Sequence, residues 1–244
     1  MELRGKTALI TGSAVRIGRA MALSLAKEGC NLILHYNASS EKVKILQSEV
    51  KELGIEAITI QANLMNSDET EALIPHCLDL TQQIDILINN AGIYKNATGM
   101  NSSHEIWDMQ FALNLRAPFL LTQSFAKHLP KGAQGKVVNI SDARVFHQQP
   151  DHFVYRLTKS ALLDMTKMFA LELAPDITVN SVALGIMMPL AGLEHIDLNI
   201  LAERRVPLKR IGSPEIAAEN VLHILEQDFM TGTIIRVDGG EFLQ

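Results

Sequence analysis

Short apolar runs alternate with longer amphipathic stretches along almost the whole of this 244-residue chain. The apolar runs predict strands over residues 6–11, 31–36, 56–61, 84–88, 135–140, 177–182 and 233–237. The amphipathic stretches predict helices over residues 15–29, 40–53, 68–80, 105–129, 153–173 and 214–226, with a bend at Pro118 because proline has no amide proton. This alternation predicts an α/β fold, a doubly wound parallel sheet of about seven strands with helices on both faces.

Composition and charge narrow the class of protein. A chain of 244 residues with 47% hydrophobic and 20% charged residues suits one soluble domain, residues 1–244. A net charge of -5 argues against nucleic acid as a partner. Cys30 and Cys77 form no metal-ligand or disulfide pattern, so no metal site is expected. The start MELRGKTALITG lacks the apolar region of a signal peptide, and no run is long enough for a membrane helix, so we expect a cytoplasmic protein.

An anion-binding turn is predicted between the first strand and the first helix. Residues 11–18 read TGSAVRIG, in which Gly12 permits a tight turn and Gly18 permits close approach of the backbone. The amide groups and the start of the helix would then point at a phosphate. The segment lacks the common G-x-G-x-x-G pattern, so a plain strand–helix connection is the alternative.

The same segment resembles the short-chain dehydrogenase/reductase family, whose first turn reads TGxxxGxG. Arg16 stands where the middle glycine is expected, and TGxxxRxG resembles the pteridine reductases and bacterial dihydromonapterin reductases within that family. The resemblance covers nearly the whole chain and implies a single-domain Rossmann-type fold. A guanidinium at this position can reach both the cofactor phosphates and the substrate. The alternative is a surface arginine that replaces a dispensable glycine.

The end of the second strand favours NADPH as the cofactor. Residues 35–40 read HYNASS, with no carboxylate to bond a ribose 2′-hydroxyl or to repel a 2′-phosphate. By resemblance Ser39 binds that phosphate, while Ala38 replaces an expected arginine, and Asn63 bonds the adenine; His35 and Asn63 as plain loop or strand-end residues are the alternative. The implied cofactor site is Gly12, Arg16, Ile17, Gly18, His35, Tyr36, Asn37, Ser39, Asn63, Leu64, Asn90, Ala91, Gly92, Tyr155, Lys159 and Gly185.

The catalytic prediction rests on Tyr155 and Lys159, a YxxxK whose spacing puts both side chains on one helix face. A nearby ammonium would lower the pKa of the tyrosine. The family usually has a serine thirteen residues before this tyrosine, where the chain has Asp142. By resemblance to the pteridine reductases Asp142 joins Tyr155 in proton delivery, the pair sharing a proton; the alternative is that Ser141 rotates in. Asn114 matches the asparagine that holds a water on the proton path, with a helix-kink role as its alternative.

The substrate prediction rests on Arg16, Tyr94, Asp142 and Tyr155. Tyr94 follows the NNAG of residues 89–92 and matches an aromatic residue that stacks on the pterin ring, although an exposed loop tyrosine is nearly as plausible. The irregular stretch over residues 185–207 is expected to close the site as a substrate loop. The implied reaction reduces a dihydropterin or dihydrofolate in a homotetramer. The rival functions are a carbonyl or 3-oxoacyl-carrier-protein reductase and a non-catalytic NADPH-binding sensor.

Overall fold

One parallel sheet organises the protein. The structure, a computed structural model, describes residues 1–189 and 197–243. Within that part the strands are β1 (Thr7–Ile10), β2 (Asn31–Tyr36), β3 (Ala57–Gln61), β4 (Ile86–Asn89), β5 (Gly135–Asp142), β6 (Ile177–Leu184) and β7 (Ile234–Val237). They pair in the order β3-β2-β1-β4-β5-β6-β7, every pair parallel, which confirms the predicted α/β Rossmann-type sheet.

Helices cover both faces of the sheet. They are α1 (Arg16–Lys27), α2 (Ser40–Lys51), α3 (Ser67–Thr81), α4 (His104–Phe111), α5 (Ala117–His128), α6 (Phe153–Leu173), α7 (Leu198–Arg205) and α8 (Pro214–Glu226). Side chains alternate between the faces of each strand. Ile10 therefore packs into one core with α1, α2 and α8, while its neighbour Leu9 packs into a second core with α3, α5 and α6. None of the described helices is long and apolar enough to cross a membrane.

The predicted long helix over residues 105–129 is confirmed in extent, because helical residues run without a break from His104 to His128. It divides into α4 and α5 around a π-helical turn, Ala112–Arg116, in which the Ala117 N–H donates to the Ala112 carbonyl. Pro118 has no N–H for the carbonyl of residue 114, so a regular α-helical bond is impossible there and the wider turn takes its place. The irregularity thus lies just before Pro118, and Asn114 lies inside it.

Two strands are longer than their sequence pattern predicts. The predicted fifth and sixth strands end at residues 140 and 182, whereas β5 continues to Asp142 and β6 to Leu184, and these two residues pair. In β5 the added residues Ser141 and Asp142 are polar, so an apolar pattern does not include them. The extension fixes Asp142 on the rigid sheet. In the predicted substrate loop, α7 was missed, and residues 190–196 lie outside the described part.

Candidate active site

A cleft of about 540 Å³ opens at the carboxyl ends of the central strands. β1 and β4 are neighbours in the sheet, and the strand order reverses between them. Ligands of α/β folds bind in the crevice at such a reversal. Most of the predicted site residues line it: Gly12, Arg16, Ile17, Gly18, His35, Asn37, Asn63, Leu64, Asn90, Ala91, Gly92, Tyr94, Asp142, Tyr155, Lys159 and Gly185. Tyr36, Ser39 and Asn114 are predicted site residues that do not line the cleft in the described part of the chain.

The turn after β1 packs too closely for side chains at its glycines. Gly12 has a φ of +64°, and a Cβ on Gly18 would lie 2.3 Å from the Gly12 carbonyl oxygen. A Cβ on Gly185 would likewise lie 2.7 Å from Asp238 Cα. Backbone amides at the start of α1 therefore reach the cleft without intervening side chains, which suits an anion such as a pyrophosphate.

Asn90 holds this turn against the end of β4. Its Nδ2 donates to the carbonyls of Thr11 (2.9 Å) and Gly12 (3.1 Å). The backbone amides of Asn90 and Ala91 both donate to Thr11 Oγ1. We call the walls formed by residues 11–18, His35, residues 89–92 and Gly185 the cofactor half of the cleft.

His35 is a structural partner of the same turn. Its Nδ1 accepts from the Gly12 N–H at 3.1 Å, and its Nε2 lies 3.0 Å from the Ala62 carbonyl oxygen, so the neutral ring donates from Nε2. Burial lowers the pKa of His35 from 6.5 to about 4, which keeps the ring neutral. These two bonds agree with the alternative stated for His35, that of a loop or strand-end residue. The ring of His35 also lines the cleft.

The end of β2 gives partial support to the predicted 2′-phosphate site. Ser39 is the N-cap of α2, yet its side chain makes no capping hydrogen bond, so the hydroxyl is not committed to the helix. Asn37 is exposed, whereas Tyr36 packs against the core. The amide oxygen of Asn63, predicted to bond adenine, accepts from the Met65 N–H at 3.2 Å.

Arg16 adopts a backbone conformation that favours glycine. Its φ is +57°, a left-handed value that costs a non-glycine residue about 1–2 kcal/mol. Its Nη2 donates to the Pro189 carbonyl at 2.6 Å, across the cleft from the turn that carries it. Strain of this kind is retained where the side chain has a function.

Tyr155 and Asp142 form a hydrogen-bonded pair. Tyr155 Oη donates to Asp142 Oδ2 at 3.0 Å, while Ser141 Oγ points away and donates to the Lys159 carbonyl. The alternative in which Ser141 rotates into the site is therefore wrong for this structure. Burial, and then the charge and hydrogen bond of Asp142, raise the pKa of Tyr155 well above 10.0. The tyrosine is thus held protonated, opposite to the lowering expected from Lys159.

Lys159 lies beneath Tyr155 on α6. Its Nζ donates to the Ile140 carbonyl at 2.8 Å and lies 5.9 Å from the centroid of the Tyr155 ring. Burial lowers the pKa of Lys159 to about 8. The ammonium lines the cleft and can bind a polar group there.

Asn114 lies behind the cleft wall. Its Oδ1 accepts from the Ile93 N–H (2.8 Å), and its Nδ2 donates to the Ile93 carbonyl (2.9 Å) and to Thr158 Oγ1 (3.3 Å). These bonds tie the π-helical turn to the loop after β4 and to α6. They give Asn114 a positioning role, and the predicted water on a proton path stays a prediction.

Tyr94 is part of a wall and is not an exposed loop residue. Its ring stacks on His152 at 4.4 Å and meets the Tyr155 ring edge-on at 4.8 Å. The Arg144 guanidinium lies 5.5 Å from the centroid of the Tyr94 ring. We call this wall, formed by Tyr94, residues 142–152 and Tyr155, the substrate half of the cleft.

The geometry agrees with what comparison with known proteins finds. A profile of the short chain dehydrogenase family matches residues 6–191. The 3-oxoacyl-[acyl-carrier-protein] reductase FabG of Staphylococcus epidermidis is 33% identical over 242 residues, which are 98% of this chain and 99% of that protein. The chain belongs to the short-chain dehydrogenase family. It is therefore an oxidoreductase.

Two solved structures resemble this one throughout. FolM alternative dihydrofolate reductase 1 from Brucella canis, complexed with NADP, has a TM-score of 0.94 and 31% identity, covering 100% of this chain and 96% of that one. A short chain dehydrogenase from Burkholderia cenocepacia in complex with NADP has a TM-score of 0.92 and 27% identity, covering 99% of each chain. The relatives thus bear names that point to two different substrates.

Sequence reasoning missed several residues of this short-chain dehydrogenase. Arg144 and Glu241 line the cleft, and Arg156 is buried behind it. Arg156 donates to the carbonyls of Arg144 and His147 and to Asp151, so it ties the strand-end segment to α6. Arg144 could have been found as a charged residue two positions after Asp142; nothing in the pattern marks Glu241.

Proposed function

We propose that this short-chain dehydrogenase uses NADPH to reduce a dihydropterin, such as dihydromonapterin, dihydrobiopterin or dihydrofolate, to its tetrahydro form. The observation that carries the proposal is the bond from Tyr155 Oη to Asp142 Oδ2, where the family usually has a serine. A phenol beside a carboxylate is a proton-sharing pair, which suits protonation of a ring nitrogen better than a neutral serine does. The name of the Brucella canis relative, a dihydrofolate reductase, supports the same choice.

The cofactor half fits a dinucleotide. Gly12, Gly18 and Gly185 leave room where a Cβ would collide, and α1 presents its first amides to the cleft. With no carboxylate in residues 35–40, a 2′-phosphate meets no repulsion at the end of β2, and Ser39 offers a hydroxyl. NADP in both solved relatives supports NADPH here. When bound, NADPH supplies the hydride that reduces a C=N carbon.

The residues that would contact the substrate and the nicotinamide end of the cofactor then have separate tasks. Tyr155 would donate the proton of Oη to a ring nitrogen and be left as a phenolate, which solvent then reprotonates, while Asp142 Oδ2 would orient the hydroxyl by accepting its hydrogen bond. Lys159 binds a hydroxyl group of the cofactor's ribose with the ammonium that lines the cleft. Tyr94, with His152 stacked behind it, contacts the flat ring of the substrate, and Arg16 closes over it toward Pro189.

A second candidate is a 3-oxoacyl-carrier-protein reductase. It is favoured by the names of curated relatives, including the Aquifex aeolicus protein at 34% identity over 99% of both chains. Asp142 and the strained Arg16 argue against it, because a carbonyl oxygen needs neither a second acid group nor a guanidinium at this turn. A non-catalytic NADPH-binding sensor is the third candidate, and the assembled Tyr155–Asp142 pair argues against that.

We also propose that the enzyme is a cytoplasmic homotetramer assembled through its long helices. Large apolar side chains on α4, α5 and α6 are exposed in the single chain, among them Trp107, Phe119, Met168 and Leu171. Burial of such side chains stabilises an interface. Light scattering on the purified protein tests this, and the mass of a single chain would contradict it.

The experiment that tests the function compares substrates. NADPH oxidation is followed with dihydromonapterin, dihydrobiopterin and dihydrofolate, and in parallel with an acetoacetyl thioester and simple ketones. We expect turnover on a dihydropterin that Tyr155→Phe abolishes. Turnover on the carbonyl compounds alone would replace the proposal with a carbonyl reductase. Tight NADPH binding with no turnover would favour the sensor.

A further inference from the structure

Arg144 occupies a position in the substrate half that no step of the proposed reaction uses. It follows β5 in a short 3₁₀ helix, Ala143–Phe146, and its side chain is only 18% exposed. Its guanidinium lies between two carboxylates, with Nε 3.8 Å from Asp142 Oδ1 and Nη1 3.9 Å from Asp151 Oδ2. Burial of an unpaired cation destabilises the folded protein, so these two carboxylates stabilise Arg144 in its position.

The two oxygens of Asp142 have different partners. Oδ1 accepts the Arg144 backbone N–H at 2.8 Å and faces the Arg144 side chain, while Oδ2 accepts from Tyr155 Oη. Because Oδ1 is held from one side, the carboxylate cannot rotate freely, and Oδ2 stays aimed at the phenol. Hydrogen bonds to both oxygens and an adjacent cation stabilise the ionised form of a carboxyl group.

The segment that carries Arg144 is itself fixed. Arg156, 6% exposed, donates to the Arg144 carbonyl and forms a salt bridge of 2.7 Å with Asp151 Oδ1. Asp151 also pairs with His152, which stacks on Tyr94. The guanidinium of Arg144 is therefore positioned by a network that starts on α6 and ends at the substrate wall.

We infer that Arg144 is a positioning residue that keeps the Asp142 side chain oriented with Oδ2 toward Tyr155 Oη. The inference rests on the proposed function only in that it concerns the same Tyr155–Asp142 pair. Other charged or titratable groups that face the pair are Lys159 on α6, Tyr94 after β4 and Glu241 in the C-terminal segment. Glu241 forms a salt bridge of 2.7 Å with Arg205.

A double-mutant cycle separates this role from a structural one. In the wild-type background, Arg144→Gln is expected to lower kcat about 10-fold with little change in KM. In the Asp142→Asn background the same substitution should lower kcat less than about 2-fold, because the effects of interacting residues are not additive. Arg144→Lys keeps the charge and should restore most of the activity. Arg19→Gln removes the same charge outside the cleft and is the matched control.

A second readout needs no substrate. The chain has three tyrosines, so ¹³Cζ-tyrosine NMR with Tyr155→Phe assigns the Tyr155 resonance. In Arg144→Gln that resonance should shift in the same direction as in Asp142→Asn, and it should stay in place in Arg144→Lys. An unchanged resonance, or an equal loss of activity with and without Asp142, would overturn the inference. Failure on dihydropterins alone leaves this readout intact and counts only against the proposed function.

Discussion

The cofactor half and the substrate half of the cleft are held in shape by different kinds of interaction. In the cofactor half, glycines permit contacts of backbone with backbone, and Asn90 and His35 satisfy the amides and carbonyls of the turn. The substrate half is held in shape by hydrogen bonds and salt bridges of charged side chains, chiefly those of Asp142, Arg144 and Arg156, the last of which lies behind the cleft. A shape built from backbone suits a cofactor common to a family, whereas a shape built from charges lets single substitutions change the substrate.

The largest expected effect is that of Tyr155→Phe, which should lower kcat without weakening NADPH binding. Tyr155→Phe removes the proton donor and should lower kcat by about 100- to 10,000-fold, the usual contribution of a positioned acid. The dissociation constant of NADPH should stay within about 3-fold, because the cofactor half is untouched. Stopped-flow turnover and fluorescence titration of NADPH measure the two constants. Weakened NADPH binding by a factor comparable to the loss of kcat would show that the halves are not separate.

Gly18→Ala tests the cofactor half in the same way. The new Cβ would collide with the Gly12 carbonyl and Asn90 Nδ2, and such overpacking costs about 1–3 kcal/mol of folding stability. Because relief of the clash displaces the turn, NADPH should bind more weakly. Ser24→Ala on the same helix is the control and should bind NADPH normally. Normal affinity in Gly18→Ala, measured by calorimetry, would mean that the turn does not need close backbone approach.

His35 should make the stability of the cofactor half depend on pH. Its folded-state pKa is lowered to about 4 while the unfolded value is near 6.5, so the unfolded chain takes up the proton first as the pH falls. This contribution is present above pH 6.5 and is lost as the pH falls through 4, about 3 kcal/mol in all. Urea unfolding across that range should show a flatter dependence in His35→Gln. The exposed His76→Gln should keep the wild-type slope, and equal slopes in all three proteins would refute the assignment.

The smallest expected effect concerns Arg16, which spans the two halves. Arg16→Gly relieves the left-handed strain but loses the bond to Pro189, so the free energy of unfolding should change by no more than about 1 kcal/mol. The KM for a dihydropterin should rise about 10-fold with kcat nearly unchanged. Steady-state kinetics and thermal unfolding measure both, with Arg19→Gln as the control. An unchanged KM would favour the alternative stated in the sequence analysis, that Arg16 is a surface arginine replacing a dispensable glycine.

The cofactor half could be predicted from the sequence more fully than the substrate half. The alternation of apolar runs predicts the sheet, and the cofactor half follows from Gly12, Gly18 and residues 89–92 because its contacts are local to strand ends. The substrate half escapes prediction in part because Arg156 meets the Arg144 carbonyl, and Glu241 comes near Arg144, only after the chain has folded. The π-helical turn at Asn114 was missed for another reason: a proline marks a bend but not the type of turn that replaces the lost bond.

The most direct test of the central claim is the substrate preference of Asp142→Ser. The ratio of kcat/KM for a dihydropterin to kcat/KM for an acetoacetyl thioester is measured in the wild-type enzyme and in this variant, with NADPH saturating. The proposed function predicts that the wild-type ratio favours the dihydropterin and that Asp142→Ser lowers it by at least about 10-fold. A ratio that already favours the thioester, or that Asp142→Ser leaves unchanged, would contradict it.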